Sequence, residues 1–323
     1  MNEHRQHDHA PHDHAGHGHA DHGHHHSHHH GPGRYDRAFA IGAALNGGFV
    51  IAEIVFGLAA NSMALLSDAV HNLGDVLALL LAWGAAWLSR RPPSAYRTYG
   101  WGRSSVMAAL VNAVVLLVGI GGIGVEAIRR LAAPEPVAEV TVMIVAAAGI
   151  AINGGTALLF LRGRAEDLNL RAQFLHLGGD ALVSAGVVLA AFAVHLTGWF
   201  WLDPVTSLAI AAVIAVATWG LLCDSVDLAM DAVPGGVAHE DVRRFLAGLP
   251  GVAEVHDLHI WGLSTTQTAL TAHLVYADGQ EEQRRLHEVQ AELHHRFGIG
   301  HATFQVESHA EAEECRLRPH CAA

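Results

Sequence analysis

The sequence predicts an α-helical membrane protein with six transmembrane helices, followed by a small C-terminal α+β domain. Three observations carry that prediction. Half of the 323 residues are hydrophobic and only 15% are charged, against about 25% in an ordinary soluble protein. Several apolar stretches between Ala38 and Met230 are long enough to cross about 30 Å of hydrocarbon, which takes roughly 20 helical residues. After Pro234 the long apolar runs stop, and short alternating and amphipathic segments take their place.

From Met1 to His30 the chain is a low-complexity tract holding 14 of the 27 His, interleaved with Asp, Gly and Ala. Such composition cannot bury a core, so residues 1–33 are expected to be a disordered His-rich tail. The irregular His-x-His spacing is unlike the plain run of a purification tag. The tract also lacks the charged segment, apolar core and cleavage site of a secretory signal. A membrane domain over 34–232 follows, with apolar segments near 37–59, 62–88, 104–130, 137–162, 169–196 and 204–230. The turns at Asn61–Ser62 and His195–Pro204 carry no Lys or Arg. By contrast Arg34, Arg37, Arg90, Arg91, Arg97, Arg103, Arg162, Arg164 and Arg171 flank the other side. The positive-inside rule then places both termini in the cytosol, with Arg129 and Arg130 as exceptions on the outer side.

Residues 233–308 read as an α+β unit. His239–Leu249 is a helix, Val255–Trp261 a strand, Thr268–Tyr276 a second strand, Glu281–Phe297 an amphipathic helix and His301–Glu307 a third strand. An acidic tail, 309–323, ends with Cys315 and Cys321. All 19 basic residues are Arg, against 31 acidic ones, and the net charge of −12 points to no nucleic-acid partner. Cys223, Cys315 and Cys321 are too few and too dispersed for a disulfide framework.

The chemistry concentrates in the apolar runs. His71 and Asp75 sit four apart in one, and His176 and Asp180 repeat that spacing in another. Residues four apart share a helix face. An ionisable group at the bilayer centre costs roughly 2.5–3.5 kcal/mol. One such pair is equally well a helix-internal hydrogen bond; two identical pairs point instead to a single site. Two imidazoles and two carboxylates make a tetrahedral shell suited to Zn2+. The lack of a thiolate argues against copper(I), and the imidazoles argue against Mg2+ and Ca2+. Asp68, one turn before His71, lies on the same face, placed to steady a ligand. Glu53, Asn46, Asn112 and Asn153 read as helix-to-helix hydrogen bonders, and Gly119, Gly121, Gly122 and Gly124 as points of close helix approach. Metal ligands must lose protons to bind, and His, with a reference pKa of about 6.5, exchanges its proton near neutral pH. Competition between metal and proton at a site with alternating access gives metal/proton antiport. The chain has no Lys and no phosphate-binding Gly-x-x-x-x-Gly-Lys loop that would supply nucleotide energy.

The runs Ser62-Met-Ala-Leu-Leu-Ser-Asp-Ala-Val-His-Asn-Leu-Gly-Asp75, Phe174-Leu-His-Leu-Gly-Gly-Asp180 and His256-Asp-Leu-His-Ile-Trp261 resemble the cation diffusion facilitator family of zinc transporters, over roughly residues 37–307. The resemblance implies a homodimer in the lipid bilayer, built of six-helix protomers with a cytosolic ferredoxin-like, metallochaperone-like domain. It implies export of zinc ions from the cytosol in exchange for protons, most naturally across the cell (inner) membrane. Carried over by position, His71, Asp75, His176 and Asp180 match the family's transport site, whose His-Asp form is associated with zinc preference over cadmium. Some members bind a second ion between helices two and three; here Tyr99-Gly-Trp-Gly-Arg103 offers no such ligands. Many relatives have Glu two residues after that Arg, where this chain has Ser105, which puts the anchoring role of the Glu in doubt. The His-rich segment that many eukaryotic relatives carry between helices four and five is N-terminal here, where it would concentrate metal near the entrance.

His256, His273, His287, His301 and Glu307 occupy positions that resemble the family's regulatory metal sites. His301 and Glu307 share a strand face but lie roughly 20 Å apart at about 3.3 Å per residue. The expected set is therefore His256 and His273 from adjacent strands, completed by Glu307 or His301, with Zn2+ as regulatory ligand. Cys315, His320 and Cys321 offer zinc donors that could act across the dimer, but two Cys around one His read first as a frayed tail. Two other classes compete with transport. A metal sensor with structural intramembrane pairs would need an output module, and an intramembrane metalloprotease would need His-Glu-x-x-His. Neither feature is present in the sequence.

Overall fold

The computed structural model describes residues 35–160, 168–277 and 283–315. The His-rich tail, Arg162 and Arg164, and His320 and Cys321 lie outside the described residues. Six long helices come first: α1 (Tyr35–Ala59), α2 (Met63–Ser89), α3 (Ser104–Ala132), α4 (Glu139–Phe160), α5 (Leu168–Thr197) and α6 (Leu202–Ala229). Their ends fall within two residues of the expected positions. Among the described residues, α2 to α6 each contain a stretch long and apolar enough to cross a membrane, and Ala44–Ala59 of α1 is a shorter apolar helix.

The helices meet in a dry cluster built from Phe49, Leu65, Ile120, Val142, Val187 and Ile214, among others. Large side chains such as Trp83, Val118, Leu182 and Val216 point outward. An apolar exterior over a packed interior is the pattern of a bundle whose solvent is lipid. Of the glycines read as contact points, only Gly119 fits that role here: a Cβ on it would sit 3.2 Å from Val70, while Gly121, Gly122 and Gly124 face open space. The tightest approach is at Gly74 instead, where a Cβ would lie 2.3 Å from Leu116 Cδ2. That contact brings α3 against the face of α2 that carries Asp75.

One end of the bundle is closed by polar chemistry. Ser62 caps α2 by accepting from the Leu65 N–H. The Asp203 carboxylate, in the first turn of α6, accepts from Ser62 Oγ at 2.5 Å and from the Met63 N–H at 2.6 Å. An anion at a helix N-terminus satisfies orphan donors and complements the helix dipole. Arg130, which breaks the charge rule, donates to the Asn61 carbonyl at 2.8 Å in the same network. Its charge is committed to holding this turn, where Asn61 takes a left-handed φ of 58°.

The C-terminal domain follows as α7 (His239–Ala247), β1 (Val252–Gly262), β2 (Thr268–Tyr276), α8 (Gln283–Phe297), β3 (Ile299–Ser308) and α9 (His309–Glu314). The sheet order is β1-β2-β3, with β1 antiparallel and β2 parallel to its neighbour, α8 making the crossover. Val242 and Leu246 of α7 and Val289 and Leu293 of α8 cover one face, burying Val255, Leu270, Ala272 and Leu274. Strand alternation therefore puts His256, His273 and Glu307 on the other face. The tail is not frayed at its start: Ser308 and Glu311 form a reciprocal capping box that begins α9.

The domain sits at the end of the bundle where α2 meets α3. Ser105 Oγ accepts from the Thr265 N–H at 3.1 Å, and Arg103 pairs with Asp231. Gly102 passes so close to the Leu263 carbonyl that a Cβ would lie 2.9 Å from it. Ser105 thus anchors the connection to the sheet domain.

Candidate metal centres

The helices α2 and α5 both carry a His and an Asp one turn apart, and they run antiparallel. The order of donors is therefore reversed on one helix relative to the other, and the residues pair crosswise. His71 Nε2 lies 3.0 Å from Asp180 Oδ1, the carboxylate accepting, and His176 Nε2 lies 3.3 Å from Asp75 Oδ2. Along α5, one turn apart, His176 Nε2 lies 3.8 Å from Asp180 Oδ2. One ligand atom each from His71, Asp75 and Asp180 falls within 4.8 Å of the others. His176 stands outside that group, its ring 6.2 Å from that of His71, while its 3.3 Å contact with Asp75 and the 3.0 Å contact of His71 with Asp180 are close to the edge of a tetrahedron with metal–ligand bonds of about 2.0–2.2 Å. By helical rise the four side chains lie roughly 12–18 Å inside the starts of their helices.

The two levels of this cluster differ in access. Side-chain exposure is 43% for His176 and 28% for Asp75, but 20% for His71 and 5% for Asp180. A cavity of about 540 Å3 reaches His71, Asp75 and His176 and runs along α5 and α6 in both directions, to Thr218 and Leu221 toward the α+β domain and to Gly186 and Thr206 toward the other end. Beyond Asp180 the helices are tied together by the Ser62–Asp203 turn and by Ser67, whose hydroxyl lies 2.6 Å from that of Ser207.

Asp68 does not touch the four residues by hydrogen bond. It accepts from Ser184 Oγ at 2.9 Å, while Glu53 accepts from Asn72 Nδ2 at 2.9 Å. Glu53 and Asp68 are both fully buried. Glu53 therefore does bond between helices, as expected. Asn153, by contrast, has both side-chain polar atoms buried without a hydrogen-bond partner.

The second cluster lies on the open face of the sheet. His256 faces His273 across β1 and β2, their rings 5.0 Å apart. Glu307 on β3 reaches both: its Oε2 is 3.2 Å from His256 Nε2 and its Oε1 is 2.8 Å from His273 Nδ1. His301 does not join them. The parallel register sets it beside Ala269, four residues down β2 from His273, where its ring meets Tyr99 at 5.5 Å. His287 is exposed on α8. Two participants lie outside the expected set. Cys315, brought back by α9, places Sγ 3.7 Å from His273 Nδ1. Asp257 sits at a left-handed φ of 49° where β1 breaks register, with Oδ2 3.5 Å from His273 Nε2. Asp tolerates that conformation, and a carboxylate behind a His ring is the usual partner of a metal-binding imidazole. Asp257 adjoining His256 was the available signal; for Cys315 only the short cap Ser308-x-x-Glu311 hinted at a returning chain.

Comparison with known proteins gives two family matches: the cation efflux transmembrane domain over residues 39–228, and the cation efflux protein cytoplasmic domain over 234–309. The chain is 36% identical to the cation efflux system protein CzcD of Alcaligenes sp. (strain CT14), over 85% of this chain and 88% of that one. It is 37% identical to the zinc transporter ZitB of Escherichia coli (strain K12), over 80% and 83%. With the cadmium, cobalt and zinc/H(+)-K(+) antiporter of Bacillus subtilis (strain 168) it shares 33% identity over 81% and 86%.

Proposed function

The chain belongs to the cation efflux family, a family of multi-pass cation transporters and not of enzymes, and from that premise we propose that it exports Zn2+ from the cytosol in exchange for protons. The observation that carries this reading is the crosswise meeting of His71 with Asp180 and of Asp75 with His176. In each pair the atoms that hold a proton between them are the atoms that would bind the metal. The proton between Nε2 and the carboxylate must leave before either atom can coordinate, so loading and proton release are one event. Zn2+ enters as substrate from the α+β domain side, meets the more exposed Asp75 and His176 first, and displaces the protons of the four-residue cluster. Discharge on the far side requires the Ser62–Asp203 turn and the packing behind Asp180 to part, after which protons retake the ligands.

Zinc as the cargo is supported by the two-imidazole, two-carboxylate donor set and by the ZitB likeness; the Bacillus antiporter, described as carrying cadmium and cobalt too, makes those ions the natural secondary cargo. The Arg-rich α2–α3 connection lies on the same side as the α+β domain, and the positive-inside rule makes that side the cytosol. Both termini are then cytosolic and the protein resides in the cell (inner) membrane. It works as a homodimer, a reading supported by the match to the family's cytoplasmic domain. His256, His273 and Glu307 form a cytosolic metal site apart from the transport pathway.

The test is zinc-driven proton flux in proteoliposomes under an imposed pH gradient. Intact protein should show coupled flux, and Asp180→Ala should abolish it while the dimer stays folded. Flux that survives the substitution moves the transport site elsewhere, and a lack of flux in the intact protein favours a sensor.

A further inference from the structure

We propose that Cys315 is the fourth ligand of a His256–His273–Glu307 zinc site, and that zinc bound there clamps α9 onto the open face of the sheet. The proposal rests on reading the cytosolic cluster as a metal site and is independent of the transport site.

One ligand atom from each of His256, His273, Glu307 and Cys315 lies within 4.8 Å of the other three. Bonds of about 2.0 Å to nitrogen and oxygen and about 2.3 Å to sulfur give a tetrahedron with edges of roughly 3.3–3.7 Å. The observed 3.2 Å from His256 to Glu307 and 3.7 Å from Cys315 to His273 match it. His256, His273 and Glu307 are more than nine-tenths buried. Both ring nitrogens of His256 and Glu307 Oε2 are nevertheless buried without a hydrogen-bond partner. Buried polar atoms are expensive to leave unpaired, and these converge on one point.

The surroundings orient the donors as a metal site requires. Gln305 Nε2 donates to Glu307 Oε1 at 2.8 Å, which fixes the carboxylate. Asp257 stands behind the Nε2 of His273, leaving Nδ1 for the metal, and Glu254 Oε1 lies 3.8 Å behind the Nδ1 of His256, leaving Nε2. Such paired outer carboxylates have no role in a plain ion pair between His and Glu307.

The thiolate decides the ligand class. A site with two imidazoles, one carboxylate and one thiolate selects Zn2+, Cd2+ or Co2+ and rejects Mg2+, Ca2+ and Mn2+. It also decides the consequence. His256, His273 and Glu307 are fixed in the sheet, whereas Cys315 ends a six-residue helix held by its capping box and by the buried Ala312. Binding therefore ties the most weakly held element to the most rigid one, and the position of α9 reports cytosolic zinc.

Cobalt(II) is the probe, added to the purified full-length dimer carrying Cys223→Ser and Cys321→Ser. A thiolate-to-cobalt charge-transfer band should appear in the near ultraviolet and vanish when Cys315→Ser is added. Cobalt held only by imidazoles, as in the His-rich tail, would not produce that band. In parallel, zinc should protect Cys315 from alkylation, and His256→Ala should lower the zinc concentration dependence of that protection by about 100-fold or more in affinity, at least the loss seen when a mere supporting residue is removed. A band that persists in the Cys315→Ser protein, or no band in the parent, overturns the ligand assignment. Alkylation of Cys315 at the same rate with and without zinc overturns the clamp. Both readouts are blind to transport, so Asp180→Ala flux separately decides the transport reading.

Discussion

At the scale of single residues, the two clusters use the same side chains under different restraint. His71, Asp75, His176 and Asp180 are steadied by packing and by one another, whereas His273 has Asp257 behind it and Glu307 is fixed by Gln305. A cargo site must release its ion, and a regulatory site need not. Glu311 adds a pH-dependent element to the second. Hydrogen bonds from the Ser308 N–H, and then from its hydroxyl, hold the Glu311 carboxyl below its usual value of 4.5. A depressed acid contributes stability above its unfolded pKa and loses it as pH falls through the folded one. The α9 cap should therefore be intact at neutral pH and loosen below about pH 4.5, seen as faster alkylation of Cys315 in zinc-free protein with a reagent active in acid. Ser308→Ala should give the faster rate already at neutral pH. The crosswise His-Asp cluster was legible because a His and an Asp four apart are anomalous in an apolar run. Cys315 was not, since its approach depends on a turn of the chain and not on spacing within one element.

At the scale of elements, hydropathy located all six long helices because lipid imposes length and composition together. It could not say which faces touch. The four glycines of α3 look equivalent in sequence, yet only Gly119 meets a neighbour, while the isolated Gly74 makes the closest helix contact. Gly74→Ala should destabilise the bundle by about 1–3 kcal/mol, the usual cost of overpacking, read as a lower melting temperature in detergent. Gly122→Ala should be neutral. The strands of the α+β domain were placed well by alternation, and the separation of His301 from Glu307 followed from strand rise alone. The break in β1 at Asp257 was invisible, because nothing in a two-residue period announces an extra residue.

For the whole molecule, the distribution of order runs along the bundle axis. The end beyond Asp180 is cross-linked by Ser62, Ser67, Asp203 and Ser207, while the pair nearer the α+β domain, Asp75 and His176, is the more exposed one. Asp203→Ala removes the acceptor of the buried Ser62 hydroxyl and Met63 N–H, at a cost of about 1–3 kcal/mol. Faster hydrogen exchange at Met63 to Leu65, with that of the α+β domain unchanged, is the expected readout. Arg130, which the charge rule misread as a topological vote, belongs to this same closure. The crossed pairing of α2 with α5 has a thermodynamic consequence. Each level of the site offers one imidazole and one carboxylate, so the cluster approximates a twofold axis lying across the bundle. An ion leaving in either direction breaks the same kinds of bond in the same number. If the cluster carries the cargo as proposed, nothing in its ligands rectifies the flow, and the direction is written in the concentrations on the two sides.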